Sequence, residues 1–439
     1  MMRHPGFSLV AAALWQLSVW MLPAASTAWK GGSGVDWANA VNWTNGIPTA
    51  SVSVFFVTNG VVQSAGTNNR VHPGARIESL NYVHTNVVAG NHHHHTWLNE
   101  GISLTVSNAS AGNAVFVGAG LPVYNTATRA LISGPGTLDI VATNGAFNVR
   151  QGGLQNYSGV ASLDLSGLSN CTMNVRQLLV GGDGSSASAE MERASGTLKL
   201  ARNNFLRLGG IVPPGLTVGY NKSRGGSAGS ALVLGQTNCI FSDYGVAVGI
   251  GRSSPCSITF GGFPSSFALF RDAAGTGRQA FWLIGDSSRT TYSGNLTSAT
   301  NDFSGGTVDA LVDVLVVGRS VNDTNGLGIA GNDGTLTFSS GTMDVNTAVI
   351  GYMMQSNCAR AQGTINVDGA GVLRVNHSML LGSFKADDPT NGISFAHLHV
   401  GTRTGGGSVI VRGPIRCVTN ALNSLNDSQI ILREGGSLA

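Results

Sequence analysis

The chain has 439 residues, 62 of them Gly, a formal net charge of +3 and only 11% charged residues. Glycine at about twice its usual share beside 42% hydrophobic residues excludes a charged, disordered chain. The absence of a Gly-X-Y period excludes collagen, and the absence of any run of like charges excludes a polybasic nucleic-acid tail. A long, nearly neutral chain rich in Gly, Ser, Thr, Asn and Val predicts many short strands and tight turns, hence an all-β protein.

Residues 1–28 read as a secretory signal peptide. Arg3 supplies the positive start, and residues 7–22 are a mostly apolar run carrying Leu9, Val10, Leu14, Trp15, Leu17, Val19, Trp20, Met21 and Leu22. Pro23 breaks the run, and Ser26-Thr27-Ala28 offers small residues for cleavage after Ala28. The run is shorter than the roughly 20 residues of a membrane span. No second stretch of 18 apolar residues follows. The expectation is export to the extracellular space or outer cell surface, with no transmembrane segment in the mature chain.

Residues 29–110 form a distinct N-terminal module. Trp29, Trp37 and Trp43 fall close together, among seven Trp in the chain. Clustered Trp supplies large apolar area where a small module needs a core, and a stacked repeat needs an end cap. The preferred reading is a cap; the other is an aromatic face that stacks on carbohydrate. His92, His93, His94 and His95 follow. In a strand, His92 and His94 would share one face and His93 and His95 the other. With no acid or Cys beside them, a solvated loop is preferred over a metal site.

Residues 111–439 carry a repeat. An aliphatic strand ends in Gly at Gly118, Gly181, Gly219, Gly249, Gly285, Gly318, Gly351 and Gly382. From Gly181 the intervals are 38, 30, 36, 33, 33 and 31 residues. The step from Gly118 to Gly181 is close to double, and Phe147-Asn148-Val149-Arg150 sits where the missing copy belongs. A second motif alternates with the first: Gly136-Thr137-Leu138, Gly196-Thr197-Leu198, Gly334-Thr335-Leu336, Gly341-Thr342-Met343 and Gly363-Thr364-Ile365. Within it Leu198 and Leu200 point one way and Lys199 the other. A unit of two short strands cannot close a core alone, whereas stacked copies can. A β-solenoid is therefore preferred over a sandwich array or propeller, with the glycines at corners that need positive φ. Val317, just before one of them, is expected to face inward.

The opening Trp29-x-Gly31-Gly32-x-Gly34-x-x-Trp37, followed by Asn42-Trp43, resembles bacterial secreted proteins with autotransporter-associated β-strand repeats, including surface proteins of the PEP-CTERM type. Residues 75–80 and 96–106 resemble their first strands, and the Gly-Thr-Leu and Val-Gly strands extend the likeness over most of the mature chain. The resemblance implies a right-handed β-helix passenger or stalk at the cell surface, not an enzyme. The chain departs from the family at 417–439, which holds neither a translocator barrel nor a Pro-Glu-Pro sorting tail. Residues 434–439 read like the start of another rung, so the sequence reads as a fragment and leaves anchoring open.

Candidate chemistry is sparse. Cys171, Cys239, Cys256, Cys358 and Cys417 include no CxxC, and most are expected to be small buried residues. Cys239 and Cys256 could pair if they lie on adjacent rungs. The acids number 22 in 439 residues and do not recur at the repeat spacing. Asp309 and Asp313 could share a face; Asp243, Asp272, Asp286 and Asp302 stand near turns, and Asp387-Asp388 precedes Pro389. Gly181-Gly182-Asp183-Gly184 is a single weak copy of a calcium-type turn. His397 and His399 share a strand face as a surface pair. No catalytic residue, metal ligand or cofactor is assigned, and the dispersed Arg residues form no nucleic-acid stripe. The sequence thus points to a non-enzymatic exported scaffold, passenger stalk or adhesin, whose partners would be cell-surface polysaccharide or other surface proteins. The alternatives are a carbohydrate-active β-helix enzyme (a polysaccharide lyase or hydrolase) and a glycan-binding module.

Overall fold

The computed structural model describes residues 25–62, 66–84, 93–118, 127–151, 159–183, 194–210, 215–221, 229–251, 253–286, 297–320, 331–353, 360–382, 393–417, 427–433 and 435–439. Among these residues 29 strands join into one continuous sheet, and all the strand-to-strand ladders described below are parallel. The chain is an all-β solenoid, each turn of which contributes three strands. One turn consists of Ser230–Leu234 on face A, Thr237–Ser242 on face B and Val246–Gly251 on face C. The next is Cys256–Phe260, Ser266–Arg271 and Gln279–Asp286. Leu232 then pairs with Ile258, Ile240 with Phe270 and Val248 with Ile284. Farther along, the Gly331–Met353 strand runs through all three faces, turning at register shifts rather than at breaks.

The two-strand unit expected from the sequence is corrected to three. The Gly-Thr motif pooled two different faces: Gly196-Thr197-Leu198, Gly334-Thr335-Leu336 and Gly363-Thr364-Ile365 lie on face A, while Thr137-Leu138 and Gly341-Thr342-Met343 lie on face B. Other face B strands, such as Asn203–Leu208, open without that signature.

The Gly-terminated strands all lie on face C and stack in register. Val117, Val149, Val180, Val218, Val248, Ile284, Val317, Ile350 and Leu381 form one inward column, each with 0% exposure. Val149 fills the rung whose strand runs into Arg150 instead of Gly. The residues that follow the others, Gly118, Gly181, Gly219, Gly249, Gly285, Gly318, Gly351 and Gly382, all have φ between 62° and 138°. At Gly318 the need for Gly is steric as well as torsional. A methyl group there would sit 1.9 Å from the carbonyl oxygen of Gln362, 44 residues on.

Alternation decides what is buried. On face A, Leu198 is buried at 0% while Lys199 points out and pairs with Asp164 at 2.8 Å. Face C departs from this rule: its outward residues Ala247, Leu283 and Val316 are also apolar and buried, and they join Tyr220 and Ile250 in a second cluster. The main core is continuous from Trp29 to Val409. The face C ladder already starts at Ser26–Ala28, which pairs with Ser53–Phe55, and continues through Ser79–Tyr82 and Asn113–Val117. Stacking therefore begins well before residue 111. Among the described residues no helix is long and apolar enough to cross a membrane.

Candidate functional site

The N-terminal Trp residues converge. Asn39 caps the short 3-10 turn Ala40–Asn42 by accepting from the Val41 N–H, which delivers Trp43 inward. Trp43 meets Trp29 at 5.0 Å and Trp37 at 5.2 Å between ring centroids, both edge to face. The Trp43 Nε1–H donates to the Trp37 carbonyl at 2.8 Å, and the Trp37 Nε1–H donates to Asn69 Oδ1 at 3.0 Å. Trp29, Trp37 and Trp43 are exposed by 0%, 0% and 1%, so no indole face is open to a sugar ring. Phe56 lies beneath all three and stacks on Tyr82 at 4.7 Å.

The histidine run is corrected from loop to core strand. His92 lies outside the described residues, but the strand His94–Trp97 pairs with Ala130–Ser133 on face A. His93 and His94 are buried, and His94 touches Phe56 at 4.9 Å and His84 at 5.0 Å between centroids. Its Nε2–H donates to the Val57 carbonyl at 2.8 Å, leaving Nδ1 to accept from Asn68 at 3.4 Å. The sequence could not show this, because a neutral imidazole with two local partners is compatible with a core while the residue type reads as polar. Burial pushes the His94 pKa down to about 4, against the smaller opposing effect of the Val57 hydrogen bond. Among the described residues no group of three His, Cys, Asp or Glu is placed to hold a metal.

His94 makes stability pH-dependent. Folded imidazole resists protonation until about pH 4, whereas the unfolded chain takes up its proton near 6.5. The stabilisation is fully present above pH 6.5 and lost as pH falls toward 4, by about 3 kcal/mol in all. Subtracting the urea-midpoint profile of His94→Gln from that of the wild type isolates this contribution. The difference should change across pH 6.5–4 and be flat above it; a flat difference throughout would show that His94 is not buried neutral.

The carboxylates are spread along the coil, each with its own partner. Asp309 pairs with Arg271 at 2.8 Å, whereas Asp313 accepts from Asn346 at 2.7 Å, so these two are not gathered into one site. Asp286 is wholly buried against Arg319 at 2.5 Å. Asp243 accepts from the Ala273 N–H, Asp272 from the N–H groups of Thr276 and Gly277, and Asp302 from that of Ser304. Asp387, Asp388 and Gly184 lie outside the described residues. The densest polar knot, which the spacing did not reveal, is at the corner between faces B and C. Asp344 accepts from Arg278 at 2.6 Å, Asn376 at 2.6 Å and Arg374 at 3.1 Å. Burial favours the protonated acid there, but the hydrogen bonds outweigh it and hold the carboxyl below its usual range. Such a carboxylate is an anchor between turns, not a proton donor.

His397 and His399 stack at 5.6 Å on the outer side of face A, with His397 against Asp427 at 3.2 Å and His399 against Asn366 at 3.0 Å. Cys239 and Cys256 do not pair. Cys239 is half-buried on the outer side of face B, and Cys256 points into the core on face A, where burial pushes its thiol up to about 12. Cys358 lies outside the described residues.

Fold and side chains together define a β-solenoid whose polar residues knit successive turns. No protein-family model, no curated protein and no solved structure matches the chain.

Proposed function

We propose that the protein is a non-enzymatic, exported scaffold: an elongated passenger, stalk or adhesin of the kind its Trp-Gly opening resembles. The observation that carries this reading is the single uninterrupted core from Trp29 to Val409, built on one in-register column along face C. A continuous coil of this kind holds distant points of the chain at fixed separation. The use of the carboxylates supports the same reading. General acid–base cleavage of a glycosidic bond needs two carboxyl groups converging across a substrate. Here Asp164, Asp286, Asp309 and Asp344 are each engaged by a Lys or Arg that ties one turn to another. The leader-like residues 1–28 supply the route of export.

The test has two arms. Cell fractionation of the full chain is expected to recover it outside the cytoplasm, shortened at its N-terminus; retention at full length in the cytoplasm would reject export. Purified protein incubated with acidic and neutral polysaccharides, with and without calcium, is expected to release no reducing ends. Depolymerisation abolished by a single Asp→Ala change would overturn the non-enzymatic reading.

A further inference from the structure

We propose that the outer side of face B around Phe205 and Arg207 is a binding strip for an acidic polysaccharide, one whose sugars carry carboxylates. The inference deepens the adhesin reading and rests on it only for where the polymer is met.

The strip follows from register. Thr172, Phe205, Cys239 and Leu269 occupy one outward column, and Asn174, Arg207 and Phe241 the column beside it. Phe205 is 40% exposed, which is costly for a phenyl ring on a strand whose inward positions, Leu206 and Leu208, are fully buried. Its ring lies 5.1 Å from that of Phe241 on the next turn. The Arg207 guanidinium sits over both, 5.4 Å from the Phe205 centroid and 5.7 Å from that of Phe241. Phe241 is only 8% exposed, and a methyl group added at Gly275 of the following corner would meet its ring at 3.1 Å, so it serves as the prop. Phe205 and Arg207 are the surface.

The charges choose the occupant. A guanidinium held on aromatic faces keeps a fork of donors suited to a carboxylate. Arg207 makes one long hydrogen bond, to the Ala273 carbonyl at 3.5 Å, and no ion pair among the described residues. Arg202, just before the same strand, donates to Gln236 at 2.6 Å and is likewise without a carboxylate among the described residues. This contrasts with Lys199, Arg271, Arg278 and Arg319, whose charges are met inside the protein. Between these two guanidinium groups, neither paired with a carboxylate among the described residues, lie the exposed Phe205 and the Asn203 amide, which is turned back toward Asn170. A sugar acid matches each feature: an apolar C–H face for the phenyl ring, hydroxyls for amides, and a carboxylate for each Arg. Two cations about five residues apart suit a polymer with sparse charge. Duplex DNA, with one charge per about 1.7 Å, asks for a denser basic stripe.

Affinity electrophoresis of the full chain through gels containing polygalacturonate tests the proposal, with dextran as neutral control and duplex DNA as the competing polyanion. Polygalacturonate should retard the wild type, dextran should not, and DNA should retard it less. Phe205→Ala and Arg207→Gln are each expected to weaken retardation about tenfold, and Arg202→Gln by less. Arg207→Lys should recover only part of the loss, because it restores charge without the planar fork. All three side chains are exposed, so thermal melts should stay near wild type and separate lost binding from lost folding. Equal retardation of wild type and the Phe205→Ala/Arg207→Gln double variant, no retardation by polygalacturonate, or stronger retardation by DNA would each overturn the proposal. A cytoplasmic protein that still binds through Phe205 and Arg207 would reject the export reading while leaving the strip in place.

Discussion

Replacing Val317 by Asp is expected to destabilise the turns around it by at least about 4 kcal/mol. Val317 has 0% exposure and lies in register between Ile284 and Ile350 in the face C column. A carboxylate there would enter an aliphatic stack with no cation to meet it. The nearest strong ion pair on this face, Asp286 with Arg319, lies beyond Gly285 and Gly318 and is already satisfied at both oxygens. Val317→Thr has nearly the same shape and adds only a hydroxyl, so a loss of about 1–3 kcal/mol is expected from polarity alone. The two variants also differ in pH dependence. A buried Asp is protonated more readily folded than unfolded, so the deficit of Val317→Asp should shrink as pH falls, whereas that of Val317→Thr should not. Hydrogen exchange localised to Gly306–Ser320 and Gly331–Met353 is the measurement of choice, because a stacked repeat can lose one region without unfolding throughout. Native-like protection in Val317→Asp would contradict the inward column.

The same column explains what the sequence disclosed. Face C strands read as unbroken aliphatic runs because between Leu216 and Val317 they are buried on both sides, the condition under which parallel strands lose alternation. The glycines then stand out, because each follows such a run where the backbone needs positive φ. Face B was hidden for the opposite reason. Only its inward side is constrained, by Leu206, Leu208, Ile240 and Phe270, while Asn203, Phe205, Thr237 and Cys239 share no residue type from turn to turn. Two motifs were therefore visible where three strands exist.

The candidate sites were less legible, because partners come from other turns. Nothing in local spacing shows that Arg278 reaches Asp344, 66 residues on, or that Arg207 rests on Phe241. Cys239 and Cys256 are 17 positions apart yet occupy different faces, one outward and one inward, which separates them. The leader boundary has a similar cause. Ser26, Thr27 and Ala28 are small enough to be read by a peptidase, and they also form the first strand of face C. Cutting after Ala28 removes that strand, so a mature N-terminus at residue 29 would begin the ladder at Ser53–Phe56.

Trp43→Ala is expected to cost about 3–5 kcal/mol, confined to the N-terminal end. Trp43 is the middle ring of the cluster, edge-on to both Trp29 and Trp37, and its Nε1–H satisfies the Trp37 carbonyl. Its loss leaves a cavity among Trp29, Trp37 and Phe56 at the N-terminal end of the described core, and it leaves a buried carbonyl without its donor. The end should then fray from Ser53–Phe56 toward Ser79–Tyr82, because Phe56 carries the contact between the indoles and Tyr82. Limited proteolysis and exchange of the Val54 and Leu80 amides should report this, while protection in Gly331–Met353 stays unchanged. The carbohydrate-face reading of these Trp residues expects the reverse, an unchanged N-terminus with lost glycan retardation. With 1% of Trp43 exposed there is little surface for a sugar to occupy. A Trp43→Ala protein that keeps its melt but loses polysaccharide affinity would reassign the cluster from structure to recognition.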